Sequence, residues 1–209
     1  MKLLLYCTKA KPILRKLDKY FLGSHTDNYY WKKGETVPYN VNGKIVAECD
    51  FEVEEICSEK LDVGVGYEPI FYTETVDDIS KKSCLTQFEI KNYLGCRAGG
   101  EVVGYAIHIK NLYIFDKPKE LSDFTIKRDK TYDDIVCDSC TTFDVDCKQC
   151  SHCYDYENVM KAPQNMMKVC EWDIQDNILI SIRPEWLCKI LNGEKTIEVR
   201  KKVLKEMLE

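Results

Sequence analysis

A strand–helix–strand pattern close to the C-terminal end constrains the fold more than any other segment. Residues 178–183, ILISIR, alternate with a period of two, which predicts a strand. Pro184 suits the first helical position, where its missing N–H is not needed, and an apolar stripe at helical spacing follows it. Gly193 favours the left-handed cap that ends a helix. Residues 196–200, TIEVR, then return to alternation and predict a second strand.

This pattern brings four polar side chains close together: Lys195, Thr196, Glu198 and Arg200. A carboxylate and a guanidinium two positions apart on one strand face are near neighbours. The same spacing is typical of a solvated strand face whose ion pair contributes under about 1 kcal/mol. The spacing of these four residues is therefore compatible both with an ordinary solvent-exposed surface and with a functional site.

Composition limits the class of protein. The chain has 209 residues, of which 44% are hydrophobic, enough for one good-sized domain. A formal net charge of −5 argues against broad, nonspecific attraction to nucleic acid but is compatible with a local basic groove. There is no apolar run long enough for a transmembrane helix, and MKLLLYCTKAK becomes polar too soon for a signal peptide. We expect a cytoplasmic protein with no membrane partner; the oligomeric state stays open.

Strands predominate in the rest of the chain. Alternation predicts them at residues 2–8, 44–56 and 102–115, the second with an acidic outer side and the third long enough to bend or break near Asn111. Residues 116–118 are predicted to end the third strand, and residues 121–134 to form a loop or short helix. Helices are predicted at residues 76–82 and 86–94, the latter with Thr86 as cap and Glu89 at the capping-box position. This mixture predicts a small α+β barrel flanked by helices.

Twelve cysteines are a high count for a chain without an export signal, since a reducing cytoplasm disfavours disulfides. Most are scattered and are typical of small buried hydrophobic residues. Five cluster within residues 135–155, beside His152: Cys137, Cys140, Cys147, Cys150 and Cys153. Two Cys-x-x-Cys pairs match the tetrahedral coordination of structural zinc, with either Cys150 or Cys153 as the fourth ligand. We predict a zinc-knuckle insertion; a redox-sensing thiol group is the alternative.

Residues 193–200, GEKTIEVR, resemble the opening motif of the ASCH domain family, of the PUA-like superfamily, which reads Gly-x-Lys-Thr-x-Glu-x-Arg. Residues 43–48, 105–109, 115–118 and 162–165 resemble further segments of that family. The resemblance covers most of the chain except residues 57–82 and the cysteine region. It implies that residues 1–209 form one small PUA-like barrel.

The order of these segments differs from the family's. In a typical member the motif comes first and a strand like LLLYCTK follows, whereas here LLLYCTK stands at the N-terminus and the motif at the C-terminus. We hypothesise a circular permutation, with the first strand–helix–strand supplied by the C-terminal end. The alternative is a truncated second copy, which would leave unpaired strand edges. Permutation predicts that the strands at residues 2–7 and 195–200 belong to one sheet system.

The resemblance implies that the chain binds RNA or a modified nucleobase in a cleft beside the barrel. Matched by position, Lys195, Thr196, Glu198 and Arg200 would line the cleft, with Ser181 and Arg183 as neighbours. Arginine and lysine meet phosphate, glutamate accepts from a base amino group, and aromatic rings stack on bases. The candidate rings, each more typical of a core position, are Tyr6, Tyr105 and Trp186.

An enzymatic alternative follows from the same resemblance. Some small bacterial members are amidohydrolases that remove an acetyl group from N4-acetylcytidine, using a lysine and a threonine of this strand and a glutamate elsewhere. Lys195 matches that lysine, Glu198 occupies the threonine position, and Glu89 is a weak match for the distant glutamate. Such an enzyme would use Lys195 and Glu198, although neighbouring acids are expected to raise the lysine pKa and not to lower it.

A protein-interaction module, of a kind carried by phages or mobile elements, is the remaining alternative. Its support is the acidic face predicted for residues 48–55. Such a face would meet a protein partner in place of RNA.

Overall fold

The computed structural model describes residues 1–9, 30–31, 39–40, 42–57, 59–62, 67–71, 76–95, 103–129, 154–171 and 175–208. The strands in these ranges are β1 (Leu3–Cys7), β2 (Tyr30–Trp31), β3 (Tyr39–Asn40), β4 (Ile45–Cys57), β5 (Glu59–Asp62), β6 (Tyr67–Ile70), β7 (Gly104–Lys119), β8 (Phe124–Asp129), β9 (Tyr154–Asn158), β10 (Met166–Glu171), β11 (Gln175–Ile182) and β12 (Ile197–Arg200). The α-helices are α1 (Val76–Ser83), α2 (Gln87–Leu94) and α3 (Pro184–Leu191). Single 3-10 turns lie at Leu121–Asp123 and Lys205–Met207.

One mixed sheet of eight strands organises the fold, in the order β12-β7-β4-β1-β11-β10-β8-β9. Its pairs are antiparallel except β1 with β11, which run parallel with Leu3 opposite Ile178 and Cys7 opposite Ile182. Two further pairs, β2 with β3 and β5 with β6, form separate two-stranded sheets. The α+β class predicted from the sequence is therefore confirmed.

Both ends of the chain contribute to this sheet. Strand β1 lies between β4 and β11, and β12 pairs with β7 so that Glu198 stands opposite Ile107. The predicted union of the N-terminal strand with the C-terminal strand–helix–strand in one sheet is confirmed.

The predicted barrel is wrong as a closed structure. Strands β12 and β9 are the two ends of the sheet, and no backbone pairing joins them within the described residues. The reason lies in the edges: β10 and β11 each pair on both sides, so neither offers a free edge to β12. The β8–β9 pair extends the sheet beyond the point where a barrel would close.

Apolar residues cover both faces of the central strands. Leu3, Leu5 and Cys7 point to the side that α3 covers with Leu187 and Ile190. The alternate residues of β1 belong to a second cluster on the other face, together with Phe124 and Val159. Because full burial of a leucine or isoleucine side chain contributes roughly 1.5–3 kcal/mol, these two-sided strands form the most stable part of the sheet.

Local signals were good guides to the helices. Thr86 caps α2 and forms the predicted capping box with Glu89, and Pro184 starts α3 as predicted. Strand β7 continues to Lys119, past residues 116–118 where it was predicted to end. It is irregular at Asn111, which has a φ of +47°. The loop or short helix expected over residues 121–134 is wrong in part, since β8 occupies Phe124–Asp129.

Two predictions about composition have different outcomes. The cysteine cluster of residues 135–155 lies outside the described residues, so its zinc site stays a prediction. None of the helices in the described part of the chain is long and apolar enough to cross a membrane.

Candidate functional site

Lys195 is buried although it carries a charge. Gly193, with a φ of +78°, turns the chain after α3 and sends Lys195 inward, where only 2% of the residue is exposed. Its Nζ donates to the carbonyl oxygen of Ser83 at 2.7 Å. The same ammonium lies 3.3 Å from a Glu198 carboxylate oxygen and 5.3 Å from the centre of the Trp186 ring. Three groups of different kinds therefore stabilise one buried ammonium.

Burial decides the protonation of this lysine. Loss of solvent lowers the pKa of Lys195 below its ordinary value, and the Glu198 carboxylate opposes that effect without overcoming it. Glu198 acts on this pKa in the direction expected from the sequence, but the net shift is downward because the surrounding helices and strands exclude water from the ammonium, which spacing along the chain does not indicate.

Arg200 continues the charged network from Glu198. One Nη2–Oε1 contact of 3.0 Å joins the two side chains, each of which is almost fully buried. The guanidinium also donates through Nη1 to Asn165 Oδ1 at 3.0 Å and through Nη2 to the carbonyl oxygen of Ser181 at 2.7 Å. Its Nε is buried and has no hydrogen-bond partner among the described residues.

These contacts require a strongly curved sheet. Strand β12, which carries Arg200, is four strands away from β11, which carries Ser181. In a flat sheet that separation would be about 19 Å, much more than one arginine side chain spans. The guanidinium therefore bridges an opening that the backbone leaves unpaired, and it holds β12 against β11 by side-chain contacts.

A groove of about 530 Å³ adjoins this network at Ser181. The Ser181 hydroxyl donates to the carbonyl oxygen of Pro163 at 2.7 Å, which ties β11 to the segment before β10. The rest of the groove is lined from the end of β1, the turn at Gly43, the 3-10 turn at Leu121 and residues 159–163. Apolar walls alternate there with hydroxyl groups and lysines.

The predicted site residues divide into two groups. Lys195, Glu198 and Arg200 converge as predicted, and Ser181 joins them through its carbonyl oxygen. Arg183 and Thr196 are exposed and do not contribute a side chain to the network among the described contacts.

Sequence reasoning missed Ser83 and Asn165 as partners in the network. Asn165 lies in residues 162–165, which resemble a segment of the ASCH family, so the sequence did contain a signal for this residue. Ser83 contributes only a backbone oxygen, which no residue pattern reports.

Two carboxylates of the acidic face of β4 form ion pairs within the molecule. Asp50 pairs with Lys2 at 2.7 Å, and Glu52 pairs with Lys110. Glu54 lies 2.9 Å from the ring of His108. These contacts reduce the free negative charge of the face.

No group of three or more histidine, cysteine or acidic side chains suited to a metal ion occurs in the ranges that the structure describes. The described cysteines are free thiols. Burial raises the pKa of Cys57 to about 11 and that of Cys49 to about 12, so both are neutral at physiological pH. They are packing residues, as their scatter predicted.

The network and the groove together can orient a polar ligand, since charged groups fix the groove wall and mixed polar and apolar groups line it.

Comparison of the chain with protein-family models, with curated proteins and with solved structures gives no significant match in any of the three.

Proposed function

We propose that this chain binds a nucleobase or nucleotide, free or as part of RNA, in the groove beside Ser181. The observation that carries the proposal is the buried Lys195–Glu198–Arg200 network, whose last contacts reach Ser181 in the groove wall and Asn165, which is hydrogen-bonded to Ser181 through the backbone. Buried ion pairs contribute little net stability compared with apolar residues of similar volume. A role in positioning a binding surface accounts for such a network better than stability does.

The groove has the chemistry that a base requires. Ala162 and Pro163 offer apolar surface to a flat ring, while Tyr6 and Ser181 offer hydroxyl groups at defined places. The resemblance of residues 193–200 to the ASCH motif supports the same ligand class independently of the geometry. Circular permutation of that family's fold agrees with the neighbouring positions of β1 and β11.

Titration of the purified full chain with a panel of ribonucleosides, nucleotides and short single-stranded RNAs tests the proposal. We expect calorimetric binding by the wild type and about two- to tenfold weaker binding by Ser181→Ala, which loses one neutral hydrogen bond in the groove wall. Lys81→Ala, an exposed change on α1, is the control and should bind as the wild type does. Absence of binding across the whole panel would overturn the proposal.

The amidohydrolase alternative has one specific observation in its favour, the lowered pKa of Lys195. A lysine that loses its proton more easily is a better nucleophile or base. Against it, only 2% of Lys195 is exposed, so a substrate carbonyl has no direct access to Nζ. Incubation with N4-acetylcytidine and water should release acetate and cytidine if the alternative holds, and Lys195→Met should abolish that release. Binding of N4-acetylcytidine without release of acetate would mean that the chain binds the nucleoside and does not hydrolyse it.

A further inference from the structure

Lys9 lies beside Gly43 in the lining of the groove. Its aliphatic stem lies across Gly43 so closely that a Cβ there would stand 3.0 Å from Lys9 Cε and 3.3 Å from Cγ. The φ of Gly43 is +78°, which also favours glycine. Glycine at this turn therefore leaves room for the lysine stem, and Lys9 remains exposed while it lines the groove.

The Tyr6 hydroxyl lies next to this lysine. A Cβ on Gly43 would be 3.7 Å from Tyr6 Oη, and Tyr6 is a groove residue of which only 4% is exposed. Its hydroxyl donates no hydrogen bond to any described residue. The hydroxyl is open to solvent in the groove, where a ligand or water can accept its hydrogen bond.

Positive charges outnumber negative ones among the described residues that line the groove. Lys9 and Lys161 both line it, and neither forms an ion pair with a described residue. Glu120 is the one carboxylate among these lining residues, and it is paired with Lys44 at 2.5 Å. This local charge contrasts with the net charge of −5 on the whole chain.

We infer that the groove holds a phosphate monoester, with Lys9 and Lys161 facing the phosphate and the Tyr6 hydroxyl donating to the ligand. A monoester carries close to two negative charges at neutral pH, which two lysines balance, whereas a phosphodiester carries one. The inference rests on the proposed function and narrows it: the ligand is a nucleoside monophosphate, or an RNA with a terminal phosphate, and not a free nucleoside.

Calorimetry on the full chain compares each ribonucleoside with its 5′-monophosphate, and a dinucleotide with and without a 5′-phosphate. Each phosphate monoester is expected to bind at least about tenfold more tightly than its unphosphorylated partner, since two charge-assisted contacts are gained. Lys9→Ala and Lys161→Ala should each remove most of that advantage. Lys81→Ala removes the same charge from an exposed site on α1 and should leave the tighter binding of the phosphate monoesters unchanged. The dinucleotide pair separates an RNA end from a free nucleotide as the source of the phosphate.

A second pair of variants tests the placement of Lys9. Gly43→Ala and Gly193→Ala substitute glycines with the same φ of +78°, but a Cβ at Gly193 meets nothing within 4 Å. Gly43→Ala should reduce the phosphate advantage because it displaces the lysine stem. Gly193→Ala strains the turn before Lys195 and is expected to weaken both members of each ligand pair equally, so the phosphate advantage itself should stay unchanged. Equal effects of the two substitutions on the advantage would contradict the inference.

Failure of the inference is distinguishable from failure of the proposed function. Equal binding of nucleosides and their monophosphates would overturn the phosphate site and leave the proposed function standing. If ribose 5-phosphate binds in a Lys9-dependent way and no base adds to the affinity, the proposed nucleobase binding is overturned and the phosphate site stands. Absence of binding by every one of these probes would overturn both.

Discussion

Glu198 is the residue on which the buried charges depend. It lies between two cations, 3.3 Å from Lys195 and 3.0 Å from Arg200, and its side chain is 12% exposed. Lys195 retains the Ser83 carbonyl if Glu198 is lost, but its positive charge would then face that of Arg200 without an intervening carboxylate. Removal of Glu198 therefore leaves two buried cations without an anion between them, whereas removal of Lys195 leaves Glu198 paired with Arg200.

We expect Glu198→Ala to destabilise the fold by about 3–5 kcal/mol, since it leaves two buried cations without their shared carboxylate. Lys195→Met should cost less, about 1–3 kcal/mol, because Glu198 keeps Arg200 as its partner and the loss is one hydrogen-bonded group. Urea unfolding of both variants and the wild type measures the difference. The reverse order of the two losses would show that Glu198 does not join the cations.

The pH dependence of stability follows from the same lysine and from the buried thiols. The pKa of Lys195 is lower in the folded chain than the unfolded value of 10.5, so over that window the unfolded state binds more protons and stability rises with pH. Raised pKa values at Cys49 and Cys57 act oppositely: their contribution is complete below pH 9.0 and is lost as pH rises towards about 12 and about 11. Because the thiols outnumber the lysine, the wild type should lose stability above pH 9.0.

Lys195→Met separates the two effects. Without the opposing lysine, this variant should lose stability more steeply than the wild type between pH 9.0 and 10.5. Urea unfolding of both chains across that range is the measurement. Parallel pH profiles for the two proteins would mean that the pKa of Lys195 is the same in the folded and unfolded chains.

At the scale of elements, β12 depends on side chains to hold its free edge. It has only four residues and, among the described strands, one backbone partner, β7. On its other side, Arg200 reaches Ser181 and Asn165, and Asn165 Nδ2 donates in return to the Lys202 carbonyl oxygen at 3.2 Å. The planar guanidinium can serve several acceptors at fixed angles, which an ammonium cannot.

Arg200→Lys should therefore loosen β12 although it keeps the charge. We expect a loss of about 2–3 kcal/mol in unfolding free energy, from the charge-assisted hydrogen bonds that lysine cannot reproduce. Hydrogen exchange should also speed up at the amides of β12. Arg183→Lys, at an exposed arginine before α3, is the matched control and should change neither quantity. Unaltered exchange in β12 of Arg200→Lys would argue against a bridging role.

At the scale of the whole molecule, the first strand, β1, lies in the middle of the sheet beside β11, whereas the last strand, β12, lies at its edge. Strand β1 is paired on both sides, with β4 and β11, so its residues are as buried as any in the core. Removal of β1 would separate β4 from β11 and divide the main sheet. Strand β1 therefore joins the two halves of the main sheet.

Zinc content is a prediction for the whole molecule, since the cysteine cluster lies outside the described residues. The two Cys-x-x-Cys pairs lead us to expect about one zinc per chain. Substitution of serine for Cys137 and Cys140 should abolish zinc binding, while Cys188→Ser, outside the cluster, should leave it intact. Elemental analysis of protein purified under reducing, metal-replete conditions provides the test, and a metal-free wild type would end the prediction.

The sequence by itself determined the local elements. Proline at the start of α3, the capping box of α2 and the alternation in β11 and β12 act within a few residues, so their outcome can be read from spacing. The same spacing placed Lys195, Glu198 and Arg200 together, because residues on one short strand and its preceding turn have little freedom to separate.

Only the tertiary structure decided how the sheet ends and what the charged residues experience. Closure of a barrel depends on which strand edges are already paired. The outer edge of β11 is paired with β1 and that of β10 with β8, both distant in the chain. The pKa of Lys195 depends on water excluded by α1 and α3, and the groove depends on Lys9, Gly43 and Tyr6 meeting residues 159–163. These are long-range contacts, and their free energies belong to surfaces that exist only after the strands have assembled.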